Sequence, residues 1–324
     1  MNENNFYLVN YPCMSIEHLL RSWENNERSL PFNALTKGIV ENKMRCILCD
    51  NEWDGSGMEN VRAVLLLNSD LNEKLLHHLS LIPKHKCFLV VLEPPNLPRF
   101  EPHYNPIMKN YFGTIFTLFD ELVDNETYVK LIHWQARSKV VEDKISFQDK
   151  KFCVMVQTRR ASTHPDSLFP ERDLAARYFA KDPGFDLYGG SWEGFSAWRG
   201  HWDPDKLELL KKYRYTICYD NTKNRKGFIT ERVIEALYAK CVPIYWGAPD
   251  IADYIPTSCY IDRTRFASND ELYDHLKGIN TTTYQKFVDA GQAFLQSPFA
   301  KRHFSVDSFA KSILQVVQQR TSIV

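Results

Sequence analysis

No run of apolar residues approaches the roughly 20 needed to span a bilayer, and the opening MNENNFYLVN has neither the basic start nor the long apolar stretch of a secretion signal. The expected protein is therefore cytoplasmic, or a soluble fragment trimmed of its targeting segment, with no integral membrane segment. Net charge is missing as well, because 40 Lys and Arg balance 40 Asp and Glu. That counts against a partner such as nucleic acid and leaves any electrostatic task to local clusters. Neither the G-x-G-x-x-G dinucleotide fingerprint nor the P-loop pattern occurs, which counts against an NAD enzyme and an NTPase. Internal repeats and low-complexity segments are also lacking. Cysteine is present, but most of the eight, in runs such as KCFLVVL and KFCVMVQ, read as reduced, buried hydrophobes. Cys46 and Cys49 have the spacing of a zinc or redox pair, yet no second Cys or His pair stands at a metal-site distance.

What is there is an alternation. Short runs rich in Val, Ile, Leu and aromatics alternate with helical patterns, the mark of an α/β fold with parallel sheets. Strands are expected at 6–10, 44–49, 62–68, 87–93, 114–119 and 129–134, with helical stretches such as IEHLLRSW and LNEKLLHHLSL between them. The charged, weakly periodic QARSKVVEDKISFQDKK then breaks the pattern, so the first domain is expected over 1–145 and the second over 151–305. Strands at 152–157, 185–189, 214–220 and 242–247 alternate in the second half with helices near 170–181, 204–213, 230–241, 269–279, 283–296 and 306–319. Two α/β halves facing each other make a central cleft, and ligands of such sheets bind beyond the carboxyl ends of the strands.

One segment of the second half is electrostatically odd. KNRKGFITERVIEAL gathers Lys223, Arg225, Lys226 and Arg232 around a helix start. Such a start already carries about half a positive charge and ordinarily favours Asp or Glu. Helical spacing puts Val233, Ile234, Leu237, Tyr238 and Cys241 on one face, so Glu231, Arg232 and Glu235 are expected to point away from the core. Backbone N–H groups, helix dipole and cations together predict an anion site, and a diphosphate suits it best. The alternative is a solvated charged loop. A nucleotide-sugar donor fits such a site, because its diphosphate gains charge as it leaves.

Two further features carry chemistry. Asp203 and Asp205 in HWDPDKLELLKKY have the D-x-D spacing of a metal–diphosphate motif, but Asp, Pro, Asp is also a strong helix start, and that reading is preferred. Glu93 ends the apolar run CFLVVLE before a Pro-Pro turn, where a carboxylate beside apolar walls can act as a general base. A plain surface Glu is the alternative, and His85, His103 and His133 are competitors for the role.

With these residues in view, YDNTKNRKGFITERVIEALYAKCVPIYWGAPDIADYIP, residues 219 to 256, resembles the diagnostic segment of the α-1,3-fucosyltransferases of glycosyltransferase family 10. That segment runs Glu-Asn-Ser, a short loop, Tyr-x-Thr-Glu-Lys, a helix, then a Val-Pro-x-x-x-Gly strand. Weaker agreement extends from Glu93 through CVMVQTRRAS and ERDLAARYF to about Phe304.

The resemblance implies a GT-B architecture, two Rossmann-like domains with an acceptor-binding N-terminal half and a donor-binding C-terminal half. Residues 306–324 are expected to pack back on the first domain. It further implies inverting transfer of L-fucose from GDP-fucose to an oligosaccharide or glycoconjugate acceptor. By position, Glu93 matches the family's base, Arg172 a residue reaching the diphosphate, Asn221 the Asn of Glu-Asn-Ser, and Glu231 the residue holding ribose or sugar. Lys226, Phe228 and Arg232 complete the expected donor site. No metal is demanded, although a divalent cation such as Mn2+ would be a stimulator. On this reading a trimmed chain would be the soluble catalytic part of a Golgi-type enzyme. The chain departs from the pattern at Asp220-Asn221-Thr222, at Phe228 for Tyr, and at Arg232 for Lys. Arginine keeps the charge and adds a planar fork suited to phosphate oxygens. The rivals are another GDP-sugar or linkage on the same fold, and a non-catalytic nucleotide- or glycan-binding protein.

Overall fold

A computed structural model describes residues 4–9, 30–50, 52–135, 137, 139–142, 144–201 and 205–322. Cys13, the helical stretch expected at 16–23 and Asp203 lie outside the described residues. The chain divides into two compact units, Met1–Ala136 with His303–Val324, and Arg137–Arg302.

The first unit is built on six parallel strands, β1 (Asn5–Val9), β2 (Arg45–Cys49), β3 (Val61–Leu67), β4 (Cys87–Val91), β5 (Thr114–Thr117) and β6 (Tyr128–Lys130), in the order β2-β1-β3-β4-β5-β6. All of β4 is buried, as a strand covered on both faces must be, and this explains its unbroken apolar run. Helix α1 (Leu30–Glu41) was not evident in the sequence, whereas α2 (Glu73–Ser80) follows its Leu75 and Leu79 stripe and is capped by Asn72, which accepts from the Leu75 N–H at 2.8 Å. Pro98, Pro102 and Pro106 each remove a backbone donor, so the chain after β4 forms only short 3-10 turns.

The second unit carries β7 (Lys151–Val156), β8 (Phe185–Tyr188), β9 (Tyr213–Tyr219), β10 (Val242–Trp246) and β11 (Ile261–Asp262), all parallel, in the order β11-β10-β9-β7-β8. Its helices are α3 (Phe169–Phe179), α4 (Lys206–Leu210), α5 (Glu231–Tyr238), α6 (Asn269–Gly278) and α7 (Thr281–Gln296), followed by α8 (Pro298–His303). Helix α9 (Val306–Thr321) belongs to the first unit and lies on α1, where a side chain at Gly38 would run into Leu314. Phe309 of α9 meets Phe32 of α1 edge-on at 6.2 Å.

Strand order in the second sheet reverses between β7 and β9. β8 is added on one side of β7, and β9, β10 and β11 on the other. The crevice beyond the carboxyl ends of β7 and β9 is therefore the expected ligand position.

Two expectations need correction. Helix α4 starts later than its Asp-Pro-Asp signal suggests, and Asp205 itself is the cap, accepting from the Leu207 and Glu208 N–H groups at 3.1 and 3.2 Å. Glu235 does not face solvent. It is buried and paired with Lys206 of α4 at 2.5 Å, because α4 covers the face of α5 that periodicity marks as polar.

Candidate functional site

At the switch point β9 ends in Tyr219, Asp220 follows, and residues 221–230 lead into α5. Arg172 reaches this corner from α3. Its Nε and Nη2 donate to the Tyr219 carbonyl at 3.2 and 2.7 Å, and Nη2 also donates to Asn221 Oδ1 at 2.9 Å. Gln157, just past β7, donates to the same carbonyl at 3.1 Å. Arg172 is only 4% exposed, so it braces the strand end and orients Asn221 from within.

Asp220 is the hub of the corner. Its Oδ1 accepts from the Thr230 hydroxyl at 2.5 Å and from Arg232 Nη1 at 3.2 Å, while Oδ2 accepts from the Tyr245 hydroxyl at 3.0 Å. Arg232 Nη1 also donates to Thr230 Oγ1 at 2.9 Å. Burial pushes the Asp220 carboxyl above the usual range, against the opposing pull of Arg232, Thr230 and Tyr245. Thr230 is the N-cap of α5, yet its side chain makes no cap hydrogen bond, since its hydroxyl is committed to Asp220. The helix start thus lacks the side-chain cap that normally satisfies one of its first amides.

The loop before α5 is held by two carboxylates that local pattern did not single out. Asp166 accepts from Asn224 Nδ2 at 3.0 Å, stands 3.6 Å from Arg225 Nη2, and receives the Lys223 N–H on its carbonyl at 2.8 Å. Asp250 accepts from the Gly227 N–H at 3.0 and 3.1 Å, at a residue whose φ of 73° favours glycine. The cation cluster is therefore partly neutralised by the chain itself. Arg225 meets Asp166, Arg232 meets Asp220, and Lys226 is exposed. Lys223 Nζ lies 5.6 Å from the Trp246 ring, and the Arg263 guanidinium lies 5.2 Å from that ring. Arg263 follows β11, a two-residue strand with no periodicity to betray it.

Glu231 opens α5 and is half-buried. The ring of Phe228 is buried, so it contributes packing under the loop. Six of the expected residues thus gather around one helix start in the second unit, from Arg172 to Arg232. A cavity of about 550 Å³ adjoins the α3 start, lined by Arg159, Arg160, Ser162, Phe169, Asp173 and Ser191.

Glu93 belongs to the first unit, just beyond the carboxyl end of β4. Its carbonyl accepts from the Tyr104 hydroxyl at 2.7 Å, and its N–H lies 3.4 Å from Asn68 Oδ1. Its rivals are placed differently. His85 precedes β4, at the opposite end of the strand. His103 is buried between the carbonyls of Ser69 and Phe100 at 2.8 and 3.2 Å, and burial lowers its pKa. His133 is buried too, with Nδ1 3.1 Å from the Trp134 carbonyl. The Cys46 and Cys49 thiols are free, and burial pushes them up to about 11 and about 12, so they stay protonated. Among the described residues no group of three or more His, Cys, Asp or Glu is arranged to hold a metal, and no helix is long and apolar enough to cross a membrane.

The chain resembles known glycosyltransferases. The profile "Glycosyltransferase family 10 (fucosyltransferase) C-term" matches residues 170–313. An α-(1,3)-fucosyltransferase of Helicobacter pylori is 36% identical over 78 residues, 24% of this chain and 16% of that protein. An α-(1,4)-fucosyltransferase of Arabidopsis thaliana is 26% identical over 34% of this chain and 28% of its own. The chain's matches thus span less than a third of these curated relatives. An α1,3-fucosyltransferase crystallised with GDP aligns over 99% of this chain and 91% of its own, with a TM-score of 0.60 at 15% identity. A DNA-modifying β-glucosyltransferase aligns over 97% and 99%, with a TM-score of 0.53 at 13% identity. The two parallel-sheet units are those of the GT-B glycosyltransferase fold. Residues 170–313 thus match the C-terminal domain of glycosyltransferase family 10.

Proposed function

We propose that the chain is an inverting glycosyltransferase that moves L-fucose from GDP-fucose to a hydroxyl of an acceptor glycan, forming an α-1,3-type linkage. The observation that carries this reading is the start of α5, where the cap hydroxyl is withdrawn and Arg232, Lys226 and Lys223 stand nearby. An anion held there gains helix dipole, amide and cation together. A solved α1,3-fucosyltransferase of the same fold holds GDP-fucose, and it aligns over 99% of this chain.

In the proposed reaction Glu93 takes the proton of the acceptor hydroxyl while that oxygen bonds to the anomeric carbon. The bond from that carbon to the β-phosphate oxygen breaks, and GDP leaves with the electron pair. The transition state resembles the oxocarbenium ion of an inverting glycosidase. Arg232 and the α5 amides stabilise the departing diphosphate, Asn221 and Glu231 position ribose and sugar, and Arg172 fixes Asn221. These side chains supply the positive charge, so the reaction as proposed requires no resident metal, and a divalent cation such as Mn2+ would be a stimulator. The acceptor is assigned to the first unit. Its cavity of about 930 Å³ is lined by Trp53, Tyr7, Asp50 and Glu52. The Trp53 ring stacks on Tyr7 at 5.6 Å, a suitable floor for a sugar ring with carboxylates at its rim.

Phe228 in place of the family's Tyr favours a second reading, in which the same site takes another GDP-sugar. Purified protein incubated with GDP-fucose, GDP-mannose and other GDP-sugars, with and without acceptor glycans, separates these readings through released GDP and product linkage. Turnover of GDP-mannose alone overturns the fucose assignment, and nucleotide binding without turnover on any acceptor indicates a non-catalytic protein. Glu93→Gln is expected to leave GDP affinity unchanged and slow transfer by about 100-fold or more. Full activity of that variant removes Glu93 from the mechanism.

A further inference from the structure

We infer that Asn68 is a positioning residue for the proposed base: its side-chain amide finishes the β3–β4 ladder and fixes the main chain at Leu92 and Glu93, so that the Glu93 carboxylate hangs from a held backbone. This rests on the proposed reading of Glu93 as the group that takes the acceptor proton.

Asn68 follows β3, and its N–H donates to the Val90 carbonyl at 2.8 Å, the next rung of a parallel ladder. In a regular ladder the rung after it would run from the Leu92 N–H to the Asn68 carbonyl. The chain turns instead, with Asn68 at a φ of 51°, and Oδ1 takes the place of that carbonyl. It accepts from the Leu92 N–H at 2.8 Å, and the Glu93 N–H lies 3.4 Å away. Both neighbours are donors, so the oxygen has to be the atom that faces them. Nδ2 is then left buried and without a partner, on a residue that is itself fully buried. An unmatched buried donor is costly, and a left-handed φ is unfavourable for residues with a side chain, though less so for Asn. Gly would take the turn freely but has no oxygen to offer Leu92 and Glu93. Two costs kept at one buried position beside the proposed base are the pattern of a residue retained for function.

The two residues after Asn68 grip the same loop farther out. The Ser69 carbonyl lies 2.8 Å from His103 Nε2, and Asp70 accepts from Arg99 Nε and Nη2 at 2.7 and 2.5 Å. The Arg99 pair is exposed and contributes little. Asn68 is buried and reaches the Glu93 N–H directly, while the Tyr104 hydroxyl holds the Glu93 carbonyl.

The test uses the full chain, GDP-fucose and the acceptor glycan that supports most GDP release, and reads kcat, donor and acceptor KM, GDP affinity in calorimetry and thermal midpoint. Asn68→Gly is expected to lower kcat about 30-fold, with GDP affinity unchanged and donor KM within about twofold of the parent. In a Glu93→Gln background the same change is expected to cost less than about threefold, since a residue acting through the base has nothing left to position. Asn68→Asp keeps an oxygen facing both N–H groups and should hold kcat within about fivefold of the parent. If the glycine variant does not fold, Asn68→Ser, whose oxygen falls short of both N–H groups, replaces it with the same expectations. Parental kcat in Asn68→Gly, losses that multiply in the double variant, or an Asn68→Asp as slow as Asn68→Gly each overturn the inference. Full activity of Glu93→Gln, or no turnover on any glycan, removes the functional reading and this inference with it. A slow Glu93→Gln beside a fully active Asn68→Gly removes Asn68 alone.

Discussion

Asp186 and Asp220 are the same residue type, both fully buried in the second unit, and they are treated in opposite ways. Asp186 sits near the amino-terminal edge of the sheet, reached by the first residues of β7 and β9. Lys151 Nζ and the Tyr213 hydroxyl both donate to its Oδ2 at 2.6 Å, and Arg199 Nε lies 2.7 Å from Oδ1. Burial alone would raise its pKa, but these groups outweigh burial and hold the carboxyl below the usual range. Asp220, at the carboxyl edge, has one cation and two hydroxyls, and there burial prevails. The number of full charges decides the sign. One edge of the sheet is a settled ion pair, while the other holds a carboxylate at a cost and withholds a helix cap. Such under-compensation is more common at functional sites than in scaffolds.

The largest effect that would test this contrast is Asp186→Ala, which leaves a buried Tyr213 hydroxyl and two cations without their acceptor. A loss of about 3 kcal/mol in urea unfolding is expected, with GDP affinity unchanged. Weakened GDP binding in this variant would mean that the amino edge also shapes the site. A smaller effect is expected in pH dependence. Asp186 has a lowered folded pKa, so its contribution is present above the unfolded value near 3.8 and is lost as pH falls through the folded value. For Asp220 the folded pKa is raised, so ionisation costs stability at neutral pH and the cost is relieved as pH falls toward 3.8. Asp220→Asn should therefore flatten a gain in stability on mild acidification, by about 1.4 kcal/mol per pKa unit. Asp186→Asn should remove a loss at lower pH. Urea midpoints measured from about pH 3 to pH 7 check both, and parallel curves for the two variants break the contrast. Least affected is Lys226→Ala, because the side chain is exposed. An increase of about twofold in donor KM, vanishing at high salt, is expected from kinetics at two ionic strengths.

The alternation of strands and helices was open to reading because each buried strand must be apolar on both faces, as β3 and β4 are. The cluster at 223–232 was equally visible, since cations gathered at a helix start break a local rule. What surrounds it was not. Asp166 and Asp250 reach the loop from 58 positions before Asn224 and 23 positions after Gly227, and no local period encodes such contacts. Periodicity also reports which face of a helix is polar without saying what covers it, which is why Glu235 was expected in solvent and lies against Lys206. Arg263 escaped notice because β11 has only two residues. Asp220 was visible as the residue before Asn221, but nothing local showed that Thr230, Arg232 and Tyr245 converge on it.

The placement of α9 has a consequence for how the chain is made. The second unit is one uninterrupted stretch, Arg137–Arg302, whereas the first is closed by Val306–Thr321, which packs against α1. On the ribosome, the second unit has all its residues before the first one does. The sheet around which the six expected donor residues gather is therefore encoded in one continuous stretch, while the other depends on a helix made after it. Truncation after residue 302 should therefore keep every residue of the second unit and strip α9 from the first.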